Sequence, residues 1–386
     1  MLYRDFGKTK EKVSALGFGC MRLPLKGDNP QDIDEKTAIN LLHSAIDQGV
    51  NYIDTAYPYH GISMDQGGAS EPFLAKALKD GYREKVKIAT KLPSWAVETR
   101  EDMEKFLNEQ LKRLETDCID FYMMHGINKN NWGNLKELEF EEFLDEAIAD
   151  GRIKHAGFSF HDRIELFKEV VDHYDWSFCT IQLNYLDDEY QAGEEGMEYA
   201  SARGLGVAVM EPLKGGQLAN NVPAEVKELF NGAEAKRSPA EWALRWVWNH
   251  PEVSVVLSGM NTPEQVEENL EIAKEAHSHM LTDHELNITE QAKSIFEKKV
   301  KINCTNCGYC LPCPTGVNIP ENFAKYNDYF LFGSSEMKDF YKFNYHSFIP
   351  EHEHAAVCSE CGICEEHCPQ GINIIQELKE VKDFFE

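Results

Sequence analysis

Residues 119–159, IDFYMMHGINKNNWGNLKELEFEEFLDEAIADGRIKHAGFS, carry the pattern that decides the fold. Two continuous apolar runs, Ile119–His125 and Ile153–Ser159, flank an amphipathic stretch at Glu141–Ile148 that ends in a polar stop at Asp150-Gly151. Continuous apolar runs of this length are typical of parallel strands buried on both faces. The amphipathic stretch is typical of the helix that connects two such strands. The segment therefore predicts a strand–helix–strand unit.

The same alternation continues on both sides of this segment. Six further apolar runs repeat it, at Ala15–Met21, Val50–Asp54, Val86–Lys91, Thr180–Tyr185, Gly206–Met210 and Val253–Ser258. Amphipathic patterns lie between them, at Thr37–Gln48, Met103–Leu114, Ile164–Val171 and Ala240–Trp248. Eight such units are what a (β/α)₈ TIM barrel requires. A doubly wound open sheet is the alternative, but no GxGxxG motif follows the first strand, so we predict a TIM barrel over residues 1–280.

The sequence changes character after residue 280. Thr282-Asp283-His284-Glu285 matches a capping box and predicts the start of a linker helix. Cysteines, prolines and aromatic residues dominate from Asn303 onward, and helical spacing recurs at Glu321–Phe330 and Glu336–Phe343. We therefore predict a second domain over residues 281–386, a linker helix followed by a small, mainly helical ferredoxin-like iron–sulfur domain. Its aromatic side chains are expected to shield the clusters from water: Phe323, Tyr326, Tyr329, Phe330, Phe340, Tyr341 and Phe343.

Eight of the 11 cysteines lie in two dense runs of this second domain. The runs are Cys304-x₂-Cys307-x₂-Cys310-x₂-Cys313-Pro314 and Cys358-x₂-Cys361-x₂-Cys364-x₃-Cys368-Pro369. The second run has the spacing of bacterial ferredoxins, in which three cysteines hold one [4Fe–4S] cluster and the fourth holds the other. The rule predicts two clusters, one held by Cys304, Cys307, Cys310 and Cys368, and one held by Cys358, Cys361, Cys364 and Cys313.

Two alternatives stay open for the cysteines. The first run has two residues, not three, before its last cysteine, so the spacing does not settle which cluster Cys313 and Cys368 each bind. Two structural zinc sites of four cysteines each are the second interpretation, although zinc motifs usually pair two Cys-x₂-Cys knuckles and need no proline after the last cysteine.

The chain is strongly acidic, with 39 Lys and Arg against 66 Asp and Glu and a formal net charge of −27. This excess argues against nucleic acid or an anionic membrane as the main partner. It is consistent with solubility or with a docking surface for a basic protein. The N-terminal residues lack the pattern of a signal peptide, and no run of about 18 apolar residues predicts a membrane span. We expect a cytoplasmic protein, because its many cysteines then stay reduced.

Four polar residues lie at or just beyond the ends of the second, third and fourth predicted strands: Asp54, Tyr59, Lys91 and His125. Barrel active sites are built at that rim. A carbonyl that receives a hydride also needs a proton on its oxygen, and a tyrosine can donate one. Its ordinary pKa of about 10 is high for transfer near neutral pH, so a nearby lysine is expected to lower it, an aspartate to hold that lysine, and a histidine to orient the carbonyl. Each residue alone would be an ordinary strand-end group, but the four together predict a catalytic site.

These residues stand in motifs that resemble those of the aldo-keto reductase family. The resemblance covers residues 1–275 and rests on stretches distributed along the barrel: Gly17–Arg22, Asp54-Thr55-Ala56-x-x-Tyr59, Lys91, His125, Gly157–Ser159, Gln182–Tyr185, Pro212–Gly216 and Gly259–Asn269. It implies nicotinamide-dependent reduction of a small carbonyl compound, or oxidation of an alcohol, by the tetrad named above. The whole chain resembles the subgroup that carries a C-terminal ferredoxin-like domain with two [4Fe–4S] clusters.

The resemblance also implies the residues that contact the nicotinamide nucleotide. They are Met21, Ser159, Gln182, Met210, Pro212, Leu213, Gly215, Gly216, Ser258, Gly259, Asn261, Gln265, Glu268 and Asn269. Family members that use NADPH carry basic side chains near the start of the last barrel helix, where this chain has none. A 2′-phosphate would therefore lose its charge-assisted hydrogen bonds, and NADH is favoured over NADPH.

Two further departures affect the nicotinamide ring. The aromatic residue that stacks on the ring in the family is replaced by Met210, and the Asn that binds its carboxamide is replaced by Phe160.

Three functions follow from joining the two halves, because a nicotinamide delivers two electrons at once and each cluster carries one at a time. The chain is a carbonyl reductase or alcohol dehydrogenase whose clusters exchange electrons with a ferredoxin or another redox protein. Alternatively, the rim holds FMN, with its phosphate near Lys214–Gly216 and Gly259, and the chain is an electron-transfer reductase. In the third, a non-catalytic barrel carries an iron–sulfur docking module. The candidate pocket-wall residues are Tyr57, Trp95, Trp132 and Tyr185, whose types fit an apolar or a sugar-like carbonyl compound and do not choose between them.

Overall fold

A computed structural model of the chain describes residues 1–63, 66–220, 222–304, 308, 310–368 and 370–386. Their contacts divide the chain into two compact units. The first comprises Met1–Gly215 and Ala240–Leu286, and the second comprises Gly216–Pro239 and Asn287–Glu386. Among the described residues, no helix is both long and apolar enough to span a bilayer.

The first unit is built on a closed barrel of eight parallel strands, as predicted. A short antiparallel hairpin, β1 (Tyr3–Asp5) and β2 (Lys12–Ser14), precedes it. The barrel strands are β3 (Leu16–Gly19), β4 (Tyr52–Asp54), β5 (Lys87–Leu92), β6 (Ile119–Ile127), β7 (Ile153–Phe160), β8 (Phe178–Gln182), β9 (Gly206–Met210) and β10 (Val253–Ser258). Each strand pairs with the next in sequence and β10 pairs with β3, so the doubly wound alternative is wrong.

Helices connect the strands and continue into the second unit. Up to the last barrel strand they are α1 (Glu35–Asp47), α2 (Ser70–Ala77), α3 (Arg100–Arg113), α4 (Trp132–Glu137), α5 (Phe140–Ala149), α6 (Ile164–His173), α7 (Gly193–Ala202), α8 (Gln217–Asn220), α9 (Ala224–Gly232) and α10 (Pro239–Asn249). After it come α11 (Pro263–Ala273), α12 (Asp283–Glu297), α13 (Ile319–Phe332), α14 (Lys338–Phe348), α15 (Ile363–Glu366) and α16 (Ile374–Phe385).

The interior of the barrel is filled by aromatic side chains. Phe6, in the hairpin, is fully buried, and its ring centroid lies 5.6 Å from Tyr52, 4.9 Å from Phe121 and 5.3 Å from Phe178. A Cβ at Gly206 would come within 2.5 Å of the Phe6 ring, so β9 needs a glycine at its first residue. The hairpin therefore closes the end of the barrel at which the strands begin.

One strand differs in position from its prediction. The predicted run Thr180–Tyr185 is a strand over Phe178–Gln182. The chain turns after it, because Asn184 Oδ1 accepts hydrogen bonds from the backbone N–H groups of Leu186 (3.0 Å) and Asp187 (3.1 Å).

The second unit has its own core of helices and loops. Phe323 and Tyr326 of α13, Tyr341 of α14 and Leu378 of α16 are buried together. The expected shielding role is wrong for two of the named aromatics, since Phe340 is 54% exposed and Phe343 is 68% exposed. The linker helix begins as predicted: Thr282 N donates to Glu285 Oε2 (2.8 Å) and Glu285 N donates to Thr282 Oγ1 (3.3 Å).

Candidate active site and cluster sites

The four predicted rim residues lie where their strands end. Asp54 is the last residue of β4 and Lys91 is the second-to-last residue of β5. His125 is the third residue from the end of β6. Lys91 Nζ donates to both oxygens of Asp54 (2.7 and 2.9 Å), to the carbonyl oxygen of Thr55 (2.7 Å) and to Tyr59 Oη (3.2 Å). The lysine is thus held from three sides with its ammonium against the phenol.

The electrostatics of this group differ from the sequence expectation in one respect. Burial raises the pKa of Tyr59, and the positive charge of Lys91 opposes that rise without cancelling it. Burial also disfavours the charge on Lys91, but Asp54 and Tyr59 outweigh burial and raise the pKa of Lys91. The lysine is therefore charged and the phenol protonated at neutral pH, whereas a net lowering of the tyrosine pKa was expected.

His125 faces the same space as Tyr59. Their ring centroids are 6.2 Å apart, and Trp95 lies 4.9 Å from the histidine ring. Burial, with smaller effects from Lys91 and His161, lowers the pKa of His125 well below its ordinary value, so the ring is neutral. Its Nδ1 is buried without a hydrogen-bond partner among the described residues. An unpartnered buried polar atom of this kind is consistent with a catalytic role of its side chain or with a bound water.

The wall beside His125 is formed by side chains from neighbouring loops. A Cβ on Gly126, which has φ +63°, would lie 3.8 Å from His161 and 3.9 Å from Trp95, so these two side chains border that backbone. His161 is exposed and interacts with the side chain of Gln191. Sequence reasoning included Trp95 but missed His161, although that residue directly follows β7 as other rim residues follow their strands.

Three other predicted wall residues have different surroundings. Trp132 donates from Nε1 to Glu169 (2.6 Å) in the helical layer, and Tyr57 donates from Oη to Glu109 (3.1 Å). Tyr185 is buried, at 2% exposure. The hydrogen bonds of Trp132 and Tyr57 are therefore made to Glu169 and Glu109, and not to the side chains around His125.

The polar residues expected to hold the nicotinamide already have protein partners. Ser159 Oγ accepts a hydrogen bond from Gly126 N (2.8 Å), beside His125. Gln182 Nε2 donates to Asp187 (2.8 Å), a carboxylate that sequence reasoning missed. The same carboxylate accepts two bonds of 2.9 Å from Lys214 Nζ, so Asp187 ties the end of β8 to the loop after β9.

A second missed residue, Arg22, lies across the glycines expected to hold a phosphate. Its Nη1 donates to the carbonyl oxygen of Gly215 (2.6 Å), and its Nη2 lies 3.5 Å from Glu211 Oε1. A Cβ on Gly259 would be 3.5 Å from the Arg22 side chain. This arginine therefore joins the loops after β9 and β10, next to Met21, which is 55% exposed. It is the only basic residue of the first predicted motif.

The last predicted cofactor residues lie at the end of β10 and in the first turns of α11. Gln265 Oε1 accepts from Asn261 N (2.8 Å), and Gln265 N donates to Thr262 Oγ1 (3.3 Å) at the N-cap of α11. Asn269 Nδ2 donates to Ser258 Oγ (2.7 Å) and fixes the end of β10.

The first predicted cluster set lines an apolar cavity in the second unit. Three members of the set, Cys304, Cys310 and Cys368, line it together with Phe323 and other apolar side chains. Cys307, the fourth member, lies outside the described residues. Soft thiolates around an apolar space are the donor set that an iron–sulfur cluster takes, so these residues fit the group.

Some members of the second predicted set lie near one another, but among the described residues no three Cys, His, Asp or Glu side chains are grouped closely enough to hold a metal ion. The thiol of Cys364 experiences electrostatic interactions with both Cys358 and Cys313. Hydrogen bonds from Thr315 and the backbone after it outweigh burial and lower the pKa of Cys313, which favours a thiolate. Cys361 is exposed. Cys368 thus lies near cysteines of the first run and Cys313 near cysteines of the second, while the cluster that each of them binds stays a prediction.

Comparisons with known proteins agree with both halves. Residues 15–292 match the profile described as the Aldo/keto reductase family, and residues 303–375 match a 4Fe-4S dicluster domain. A 6-dehydroglucose reductase of Novosphingobium aromaticivorans is 27% identical over 286 residues, which cover 70% of this chain and 90% of that protein. An L-galactose dehydrogenase of Arabidopsis thaliana is 28% identical over 298 residues, with coverages of 71% and 89%. The holo form of an aldo-keto reductase from Bacillus halodurans superposes with a TM-score of 0.62 at 28% identity, covering 76% of this chain and 96% of that chain.

Proposed function

Because the chain belongs to the aldo/keto reductase family and carries a 4Fe-4S dicluster domain, we propose that its barrel reduces the carbonyl group of a small polar substrate, or oxidises the corresponding alcohol. One observation carries this proposal. Lys91 Nζ contacts the Asp54 carboxylate and Tyr59 Oη at once, which pairs a proton donor with a fixed positive charge.

Each residue of the tetrad has a distinct role. A reduced nicotinamide supplies the hydride to the carbonyl carbon when it is bound. Tyr59 gives its proton to the carbonyl oxygen, so that the product is the neutral alcohol, and Lys91 stabilises the phenolate that remains. Asp54 keeps Lys91 in place, and the His125 ring, which lies beside Tyr59, orients the carbonyl oxygen. In the reverse direction the phenolate accepts the proton of the alcohol.

The pocket wall favours a hydroxylated substrate. Trp95 offers a partly exposed aromatic face, and His125, His161 and Gln191 offer polar groups beside it. An aromatic face with polar neighbours suits a sugar-like compound, which has apolar C–H faces and many hydroxyl groups. The names of the two curated relatives refer to sugar substrates, which supports the same class.

NADH is the proposed hydride donor. Residues 259–269 carry no Lys or Arg and include Glu264, Glu267 and Glu268, so a 2′-phosphate would meet like charge there. Equal affinity for NADH and NADPH, measured by fluorescence titration, would contradict this preference.

The eight cysteines are proposed to hold two [4Fe–4S] clusters. Cys368 completes the set of the first run and Cys313 completes the set of the second, because each lies beside the other run. Clusters held by these cysteines would supply one-electron exchange with a ferredoxin or another redox protein. A reducing compartment keeps such thiols free to bind a cluster, which supports a cytoplasmic location.

A flavin reductase is the second candidate. The position that stacks on nicotinamide in the family is Met210, Phe160 is fully buried, and the amide of Gln182 is engaged by Asp187. These three features weaken the nicotinamide site. FMN, which converts between one-electron and two-electron transfer, would resolve the mismatch with the clusters.

A matched pair of variants tests the main proposal. NADH oxidation with DL-glyceraldehyde is measured on anaerobically purified Tyr59→Phe and Tyr57→Phe. Loss of the proton donor in Tyr59→Phe should lower kcat by about a hundredfold to ten-thousandfold. Tyr57→Phe removes a hydroxyl bonded to Glu109 and should leave kcat unchanged. Full activity in Tyr59→Phe contradicts the proposed role, and yellow fluorescence released on boiling favours the flavin candidate.

A further inference from the structure

A buried carboxylate lies behind the tetrad and has no role in the chemistry proposed above. Glu71, in the first turn of α2, has no exposed side-chain surface. Its Oε1 accepts hydrogen bonds from Thr90 Oγ1 (2.8 Å) and Gln110 Nε2 (2.8 Å), and its Oε2 accepts from Arg113 Nε (2.7 Å). Buried ion pairs are weak evidence for a contribution to stability, because apolar replacements are often no less stable. A role for Glu71 therefore depends on which parts of the site its partners hold in place.

The first partner, Gln110, forms hydrogen bonds with the strands that carry Lys91 and His125. Gln110 Nε2 also donates to the carbonyl oxygen of Lys91 (3.0 Å). Gln110 Oε1 accepts from Tyr122 Oη (2.8 Å), and Tyr122 stands on β6, three residues before His125. The amide of Gln110 thus joins the end of β5 to the middle of β6, and Glu71 fixes the orientation of that amide.

The second partner, Arg113, forms a hydrogen bond with the loop that carries Tyr59. Arg113 Nη2 donates to the carbonyl oxygen of Gly68. Gly68 N donates to Tyr57 O (2.8 Å), and Ser70 N donates to Tyr59 O (3.2 Å). A Cβ on Gly68 would lie 2.0 Å from Tyr59 O, so the two sides of this loop are in close contact. Arg113 therefore fixes the backbone from which the Tyr59 side chain projects.

We propose that Glu71 is a positioning residue, which joins the loop of Tyr59 to the strand of Lys91 and sets the 3.2 Å separation of Lys91 Nζ and Tyr59 Oη. The inference rests on the proposed function and deepens it, because that separation matters only if Tyr59 donates a proton. Among the described residues, the Glu71 carboxylate accepts hydrogen bonds both from Arg113 on the loop side and from Gln110 on the strand side.

The test compares Glu71→Gln with the wild-type chain. Glutamine keeps the shape of the side chain but loses its charge, so Arg113 releases the loop. We expect kcat for NADH-dependent reduction of DL-glyceraldehyde to fall by about tenfold to a hundredfold, as a displacement near 1 Å produces. The KM for DL-glyceraldehyde and the dissociation constant of NADH should stay close to their wild-type values. In glycerol oxidation with NAD⁺, the alkaline rise of kcat should move to higher pH, because a more distant Lys91 lowers the tyrosine pKa less.

Asp120→Asn is the matched control. Asp120 is also a buried carboxylate, which accepts from Arg83 Nη2 (2.9 Å) and Lys154 Nζ (2.5 Å), but it is the second residue of β6 at the opposite end of the barrel. This variant should lose stability while kcat and the pH rise stay unchanged. If Glu71→Gln does not fold, Thr90→Val removes one hydrogen bond to Glu71, leaves the Arg113 pair intact, and should change kcat in the same direction by a smaller factor.

Two outcomes overturn the proposal. One is a folded Glu71→Gln, or a folded Thr90→Val in its place, with wild-type kcat and an unmoved pH rise. The other is Asp120→Asn moving both quantities as much as Glu71→Gln does. Tyr59→Phe separates this failure from a failure of the proposed function, since activity retained in Tyr59→Phe contradicts the function itself.

Discussion

At the scale of single residues, the protonation state of Tyr59 decides the direction in which the site works best. Burial raises the pKa of its phenol above the ordinary value, and Lys91 only partly offsets that effect. The phenol therefore remains protonated throughout the neutral range, which is the state that carbonyl reduction requires.

We therefore expect opposite pH dependences for the two directions. The kcat for reduction of DL-glyceraldehyde should be flat from pH 6 to 9, about the range over which the phenol keeps its proton. The kcat for oxidation of glycerol should rise with pH throughout that range, because the phenolate is then the base. Steady-state rates across the range check this, and an oxidation rate that reaches its plateau near neutral pH would show that the tyrosine pKa is lowered.

Lys91→Met tests whether the positive charge of Lys91 acts on the pKa of Tyr59. Removing the ammonium leaves burial unopposed, so the alkaline rise in glycerol oxidation should move to still higher pH and kcat should fall. The control is Lys87→Met on the same strand, where the lysine pairs with Glu11 near the other end of the barrel. An unchanged pH profile in Lys91→Met would mean that the lysine does not act on Tyr59.

Several site residues could not be predicted from sequence because their partners are distant along the chain. Asp54, Lys91 and His125 were predictable, since each closes an apolar run and the ends of parallel strands meet at one rim. Arg22 and Asp187 act through contacts to loops about 190 and 27 residues away, which no local pattern reveals. The net pKa of Tyr59 also escaped prediction, because it depends on how deeply the ring is buried.

At the scale of elements, the barrel strands could be predicted from the sequence and the hairpin strands could not. The barrel strands were predictable as continuous apolar runs, with one displaced by the Asn184 turn. The hairpin of β1 and β2 was not predicted, because two three-residue strands carry no run or alternation long enough to recognise. The exposed aromatics Phe340 and Phe343 show that helical spacing alone does not identify the buried face.

The hairpin makes a testable contribution to the barrel through Phe6. Phe6→Ala should lower the free energy of unfolding by about 3–5 kcal/mol, because it leaves a cavity among three aromatic rings. Leu25→Ala, at a side chain that is 38% exposed, is the control and should change it by less than about 1 kcal/mol. Urea denaturation of both variants measures the difference, and a stability loss in Phe6→Ala no larger than that of Leu25→Ala would contradict the packing role.

At the scale of the whole molecule, the chain combines a reductase barrel with an iron–sulfur domain. The boundary after residue 280 stays a prediction, while the contacts group Gly216–Pro239 with the C-terminal residues. Within the second unit, Lys299 pairs with Glu225 of α9 (2.9 Å). Such an association between a barrel loop and a later segment has no signature in the sequence of either part.

The combination of hydride chemistry with two clusters is tested most directly on a single anaerobic preparation of the full chain, by measuring iron, sulfide, zinc and flavin together with aldehyde-dependent NADH oxidation. We predict about eight iron and eight sulfide per chain, as two [4Fe–4S] clusters require, no flavin, and NADH oxidation that depends on DL-glyceraldehyde. Zinc in place of iron and sulfide, or clusters without any NADH oxidation, would contradict the account.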